Sequence, residues 1–164
     1  MLTIVALMAA LSNVLSVEPF VLPVVLGPFT TRIHFSQLPI LIAGILGGPW
    51  AGLLTGAVGG VYMSFTVIPF ILGGLALLGF SAGLFAKRLK SRPFFSCILA
   101  WCVQAPYVLV TDYLWFASSR LLPQSVAWTT VSTILVLLTV EAVIASVLAE
   151  ILIIAVKRAG INLS

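Results

Sequence analysis

The stretch QAPYVLVTDYLWFASSR spaces Gln104, Tyr107, Thr111 and Trp115 three and four residues apart, so a helix carries all four on one face. Asp112 borders that face, and Pro106 beside it can loosen the helical ladder and free a backbone carbonyl. Trp128 and Thr129 open the next apolar segment at a matching depth, and Arg32 and His34 precede the second. Aromatic walls with a few amide, hydroxyl and carboxyl groups are the chemistry of a small-ligand site. The same residues do not make a catalytic apparatus. His34 is the sole histidine, ahead of every serine but Ser12 and Ser16, whereas an intramembrane serine protease needs a histidine on a later helix. An HExxH zinc motif is absent, and so is a GxxxxGK[ST] phosphate loop. The four acids Glu18, Asp112, Glu141 and Glu150 are too scattered for a metal-dependent lipid transferase. The expectation is therefore a binding protein and not an enzyme, with no metal and no cofactor.

What must position these groups is a set of membrane helices. Of the 164 residues, 62% are hydrophobic and 7% charged, with a mean hydropathy of +1.26, against about 25% charged residues in soluble domains. At roughly 20 apolar residues per span, the length accommodates six spans in a single domain covering residues 1–164. The net charge of +4 is too small and too clustered at segment ends to indicate nucleic acid. Cys97 and Cys102 suit neither a CxxC redox pair nor a zinc site and are expected to be buried free thiols. The apolar start lacks a basic region and a clear cleavage site, so no signal peptide is expected.

Apolar runs and helix breakers place the segments at about residues 2–16, 36–48, 49–65, 68–87, 94–117 and 125–157. An irregular stretch with three prolines, 17–35, separates the first two, which are short for a square crossing. Lys87, Arg88, Lys90 and Arg92 lie between segments four and five, and Lys157 and Arg158 end the sixth; only Arg32 and Arg120 lie on the other side. The positive-inside rule then puts both termini in the cytoplasm and the long first loop outside, in the plasma membrane.

Glycines at 44, 48, 52, 56 and 60 fall every fourth residue around Pro49. Each interior glycine costs a helix about 1 kcal/mol against alanine, a cost that close helix packing in lipid offsets. A tight cytoplasmic hairpin follows, with Gly44 on segment two, Gly52, Gly56 and Gly60 on segment three, and Pro49 in its first turn, where proline is tolerated. Gly73, Gly74, Gly79 and Gly83 imply a closely packed fourth segment as well.

This combination resembles a substrate-binding S component of an energy-coupling factor (ECF) transporter. The residues that carry the resemblance are Pro39, Leu41, Ala43, Gly44, Gly48, Pro49, Gly52 and Gly56 after a long external loop, with Ala6 and Ala10 as an AxxxA pair on the first helix. The resemblance implies high-affinity capture of a vitamin on the external side and delivery to a transmembrane T component and two cytoplasmic ATPases. On that implication Ala6 and Ala10 form the docking face for the T component; the alternative is packing within the chain itself. The segment IHFSQLP is similar to the approach to helix two in riboflavin-binding members, although His34 and Gln37 stand where an aspartate often does. That departure counts against riboflavin, and a neutral aromatic pocket with hydrogen-bonding groups suits a flavin, a pyrimidine or an indole alike; riboflavin is placed first.

Several assignments stay open on sequence grounds. Asp112 serves equally well as a ligand group or as an ion-pair partner of Arg120. Trp115 and Trp128, like Tyr62 and Tyr113, also lie where interfacial anchors occur, and singly the anchor is the commoner role. Arg32 and His34 form a candidate lid, and Glu18 is a candidate partner for Arg32. Glu141, about 16 residues into the sixth segment and so roughly 24 Å from its outer end, is expected to be too deep for an external pocket and to serve a structural or docking role. A structural or regulatory subunit without a ligand and a self-sufficient small-solute transporter remain as rivals, although no internal repeat supports the latter.

Overall fold

The structure, a computed structural model, describes residues 1–26, 29–89, 92–118 and 123–159, and the side chains of residues 24–32 and 125 lie outside the description. It is a helical bundle with one small hairpin. Helix α1 spans Leu2–Val14, α2 Gln37–Gly47, α3 Pro49–Gly59, α4 Val61–Thr66, α5 Ile71–Leu89, α6 Pro93–Ser118 and α7 Gln124–Arg158. Three of them, in α5, α6 and α7, are long and apolar enough to cross a membrane alone, whereas α1 and α2 are shorter apolar helices.

Two elements differ from the sequence expectation. The stretch expected to be irregular contains an antiparallel hairpin, β1 (Leu22–Leu26) with β2 (Phe29–Ile33), in a register pairing Leu22 with Ile33 and Pro23 with Arg32. Three prolines mask the alternation of a strand, but Pro23 occupies a two-stranded ribbon where both strands are edges, which proline tolerates. The third segment is two helices, not one, broken at Gly60. Asn13 of α1 repairs the break: its amide donates to the Val58 carbonyl at 3.0 Å, and its oxygen accepts the Tyr62 N–H at 3.0 Å. A helix can be interrupted in an apolar setting only where another element supplies such partners.

The glycine stripe behaves as expected inside the protein, with α5 as its partner. At Gly48 the backbone reverses at φ 87°, which suits glycine alone, and Pro49 begins α3. A Cβ on Gly52 would overlap the Gly79 carbonyl, and one on Gly56 the Leu75 carbonyl. Gly83 in turn abuts Gly44, Gly48 and Pro49. Backbones this close replace side-chain interdigitation with direct van der Waals contact. Ala82, Ala100, Ala145 and Ala149 continue the small-residue packing toward α6 and α7, around Ile40, Leu78, Cys97 and Ile153. Cys97 is buried, but Cys102 is exposed, so only one of the two thiols is enclosed.

Along the chain the passes alternate. The turn at Gly48, Lys87 and Arg88 at the end of α5, Arg92 before α6, and Lys157 and Arg158 at the end of α7 share one end. At the opposite end Ser12 of α1 donates to the Ser36 carbonyl at 2.9 Å and to the Gly59 carbonyl at 3.2 Å, fixing α1 to the start of α2 and the end of α3.

Candidate functional site

The end away from the basic residues holds a cavity of about 470 Å³, within the usual range of roughly 300–1,000 Å³ for small-ligand pockets. The outer half of α6 forms one wall. Gln104, Val108, Asp112 and Phe116, four residues apart, face it together with Tyr107 and Thr111. On α5, Gly73 and Gly74 leave room for this wall: a side chain on Gly73 would strike the Tyr107 hydroxyl, and Gly74 lies under Tyr107 and Gln104. Tyr107 donates to the Phe70 carbonyl at 3.2 Å, tying α6 to the chain entering α5. Thr111 returns its hydroxyl to the Tyr107 carbonyl at 2.8 Å, just beyond Pro106, which lies inside the continuous helix.

The opposite wall is α7, through Thr130, Thr133, Ile134, Leu137, Leu138 and Glu141. Tyr62, Met63 and Thr66 of α4 close a third side, which the break at Gly60 and its repair by Asn13 make possible. His34 and Gln37 reach in from the connector and the start of α2. His34 donates its backbone N–H to Glu141 Oε1 at 3.0 Å, and its Nδ1 lies 3.0 Å from the Ser36 hydroxyl. Burial favours the uncharged imidazole and pushes the pKa of His34 down.

The polar inventory is uneven. Gln37 Oε1, Gln104 Oε1 and Glu141 Oε2 are buried and have no hydrogen-bond partner among the described residues. Their residues are 2%, 3% and 2% exposed, and all three line the cavity. A buried polar atom without a partner costs about 1–3 kcal/mol, and three around one space mark where a partner belongs.

Of the site residues expected from sequence, His34, Gln104, Tyr107, Thr111 and Asp112 are brought together on the cavity. Trp115, Trp128 and Thr129 are not among its lining residues. Trp115 lies edge-on to Phe70 at 6.1 Å, and Trp128 edge-on to Tyr113 at 5.7 Å. Trp128 is 53% exposed, in keeping with an anchor at an apolar surface. Arg32 sits on β2 with its side chain outside the description, and Arg120, the candidate partner of Asp112, lies outside the described residues. Ala6 and Ala10 are exposed on α1, while Val5, Ala9 and Ser12 make its buried face.

Glu141 keeps the structural role expected of it, through the His34 N–H, but corrects the expectation that it lies too deep for the pocket. It lines the cavity, because the connector carrying His34 descends between the helices and the cavity floor follows it. Gln37, Thr130, Thr133 and Phe116 were also missed as lining groups. A signal for the α7 wall existed: Thr130, Thr133, Ile134, Leu137 and Leu138 are in helical phase with Glu141, and an ionisable residue in an apolar span faces the protein interior. Read that way, Glu141 gives the phase, and the face bearing Trp128 and Thr129 falls outside it.

A helical membrane protein with one end packed solid and an apolar cavity edged by unpaired polar atoms at the other is a solute-binding membrane protein in form. Comparison with known proteins narrows this. The family model of the ECF-type riboflavin transporter, S component, matches residues 1–158, and the chain belongs to that family. The fold is similar to that of the S component for biotin from an ECF-type ABC transporter, with a TM-score of 0.64, 19% identity, and 92% of this chain and 89% of that chain covered. It is also similar to the S component of a bacterial ECF transporter, with a TM-score of 0.57, 19% identity, and coverage of 96% and 93%. No curated protein matches the chain in sequence.

Proposed function

We propose that this chain captures riboflavin, or a closely related flavin, from the external side of the plasma membrane and passes it to an ATP-driven importer. The observation that carries the reading is the cavity of about 470 Å³ at the cation-poor end, with apolar walls and three unpaired buried polar atoms. Riboflavin, for which the family is named, suits a space that offers aromatic and aliphatic surface to a flat heterocycle and hydrogen-bonding groups to its edges. His34, Gln104, Tyr107, Thr111 and Asp112 are the proposed ligand contacts, with Arg32 of β2 as a further candidate. The basic residues at the opposite end support a cytoplasmic side for that end and for both termini.

The proposed partners are a transmembrane T component and two cytoplasmic ATPases. Ala6 and Ala10 present a low, exposed surface on α1 beside Leu2, Leu7 and Leu11, and small residues permit close approach of a partner helix. Replacing both by tryptophan is expected to abolish co-purification with the T component while ligand binding persists; intact assembly removes this face from the reading.

Purified protein titrated with riboflavin is expected to quench flavin fluorescence with a submicromolar Kd, and preparations from flavin-replete cells to absorb in the visible. Saturation-free behaviour across the micromolar range would overturn the flavin reading. The rival of a structural subunit without a ligand predicts no bound solute in native mass spectra. Accumulation of flavin in vesicles holding this chain alone would favour a self-sufficient transporter.

A further inference from the structure

We infer that Glu141 divides its carboxyl group between two tasks: one oxygen holds the hairpin's exit, and the other reads an N–H donor on the ligand. Glu141 Oε1 accepts the His34 N–H at 3.0 Å, a contact that tethers the connector to α7. Oε2 is buried in the cavity lining and has no hydrogen-bond partner among the described residues. His34 Nδ1 lies 3.7 Å from it, too long for a hydrogen bond, and already faces the Ser36 hydroxyl at 3.0 Å. Holding one backbone N–H needs one oxygen, which an amide would supply. A second carboxyl oxygen left bare in an apolar cavity is a cost with no structural return.

The company of Oε2 defines the ligand class. Gln37 and Gln104 offer further unpaired amide oxygens to the same space, and Asp112 adds a second carboxyl group on the α6 wall. Among the described lining residues there is no lysine or arginine. A carboxylate ligand would enter this space beside two acids without a compensating cation, which low-dielectric surroundings penalise. The site instead suits a nitrogen heterocycle that carries a ring or exocyclic N–H and no negative charge. The imide of a flavin, with N3–H between two carbonyls, meets the requirement. The inference rests on the S-component reading, and it makes Glu141 a specificity-determining residue of the cavity.

The experiment compares riboflavin, N3-methylriboflavin, thiamine and biotin for binding to purified wild type and Glu141→Gln. Glutamine keeps an oxygen for the His34 N–H and turns an NH₂ toward the ligand, so donor meets donor. Wild type is expected to bind riboflavin at least about tenfold more tightly than its N3-methyl analogue, the loss expected for a hydrogen bond to a carboxylate. In Glu141→Gln the two flavins are expected to bind alike. Equal wild-type affinities, or an unchanged ratio in the variant, would overturn the inference and leave the flavin reading standing. Thiamine bound in place of riboflavin, and lost in Glu141→Gln, would sink the flavin reading and support the donor-reading carboxylate. Biotin bound by wild type, or none of the four, would overturn the inference. Should the variant not fold, the two flavins on wild type decide alone.

Discussion

The two ends of this bundle solve opposite problems with the same helices. Toward the basic end, α2, α3 and α5 meet through Gly44, Gly52, Gly79 and Gly83, where no Cβ fits, and α6 and α7 close the packing with Ala100, Ala145 and Ala149. Toward the other end the same helices meet through side chains, Tyr107 over Gly73 and Gly74 and Tyr113 against Trp128, and a space between them stays open. Gly73 and Gly74 sit at the boundary. On α5 they still permit close approach, but what approaches is Tyr107, a side chain, in place of a backbone. The difference teaches that side-chain size along a helix sets where a bundle is solid and where it is hollow. A hollow is tolerated because the solid end supplies the stability.

The largest effect is expected from breaking the solid end. Gly52→Ala puts a methyl group onto the Gly79 carbonyl, where neither backbone can yield cheaply. It is expected to destabilise by about 3 kcal/mol or to abolish a monodisperse peak in detergent, while protein that does fold keeps its ligand affinity. Filling the hollow end should do the reverse. Thr133→Trp, directed into the cavity from α7, is expected to weaken ligand binding by about 100-fold or more with little change in melting temperature. A variant that lost stability and binding together would show that the two ends are not separable.

Asn13→Leu addresses the seam between them. It removes the partners of the Val58 carbonyl and the Tyr62 N–H and is expected to cost about 2 kcal/mol, read as a lower melting temperature and a moderate loss of affinity through α4. Thermal unfolding identical to wild type would mean that the helix break supports itself. The smallest effect is expected at Trp128, edge-on to Tyr113 outside the cavity lining. Trp128→Phe should change ligand affinity less than about threefold, as for a surface substitution away from special features. A tenfold loss would move Trp128 into the site.

Much of this was legible in the residues taken in order. Hydropathy and breakers marked the segments to within a few residues, because desolvation of a span is a local property of its composition. The glycine spacing announced close packing, and the i, i+3, i+4 pattern of Gln104, Tyr107 and Thr111 found one wall of the cavity. What stayed hidden depends on partners distant in the chain. The break at Gly60 is stable only because Asn13, on another helix, satisfies the freed backbone groups. The rotation of α7 places Thr130 and Thr133 inward and Trp128 outward. That rotation follows from small residues on its inner half, Ala142, Ala145 and Ala149, meeting the other helices.

Composition alone determined that the chain belongs in a membrane, since so few charges and so much apolar surface have no soluble solution. The order of glycines and prolines determined where it turns and which segments touch. Only the tertiary structure decided that Glu141, deep along its helix, meets a descending connector and faces the cavity. Depth along one helix is fixed by counting residues, but what lies opposite is set by every other helix at once.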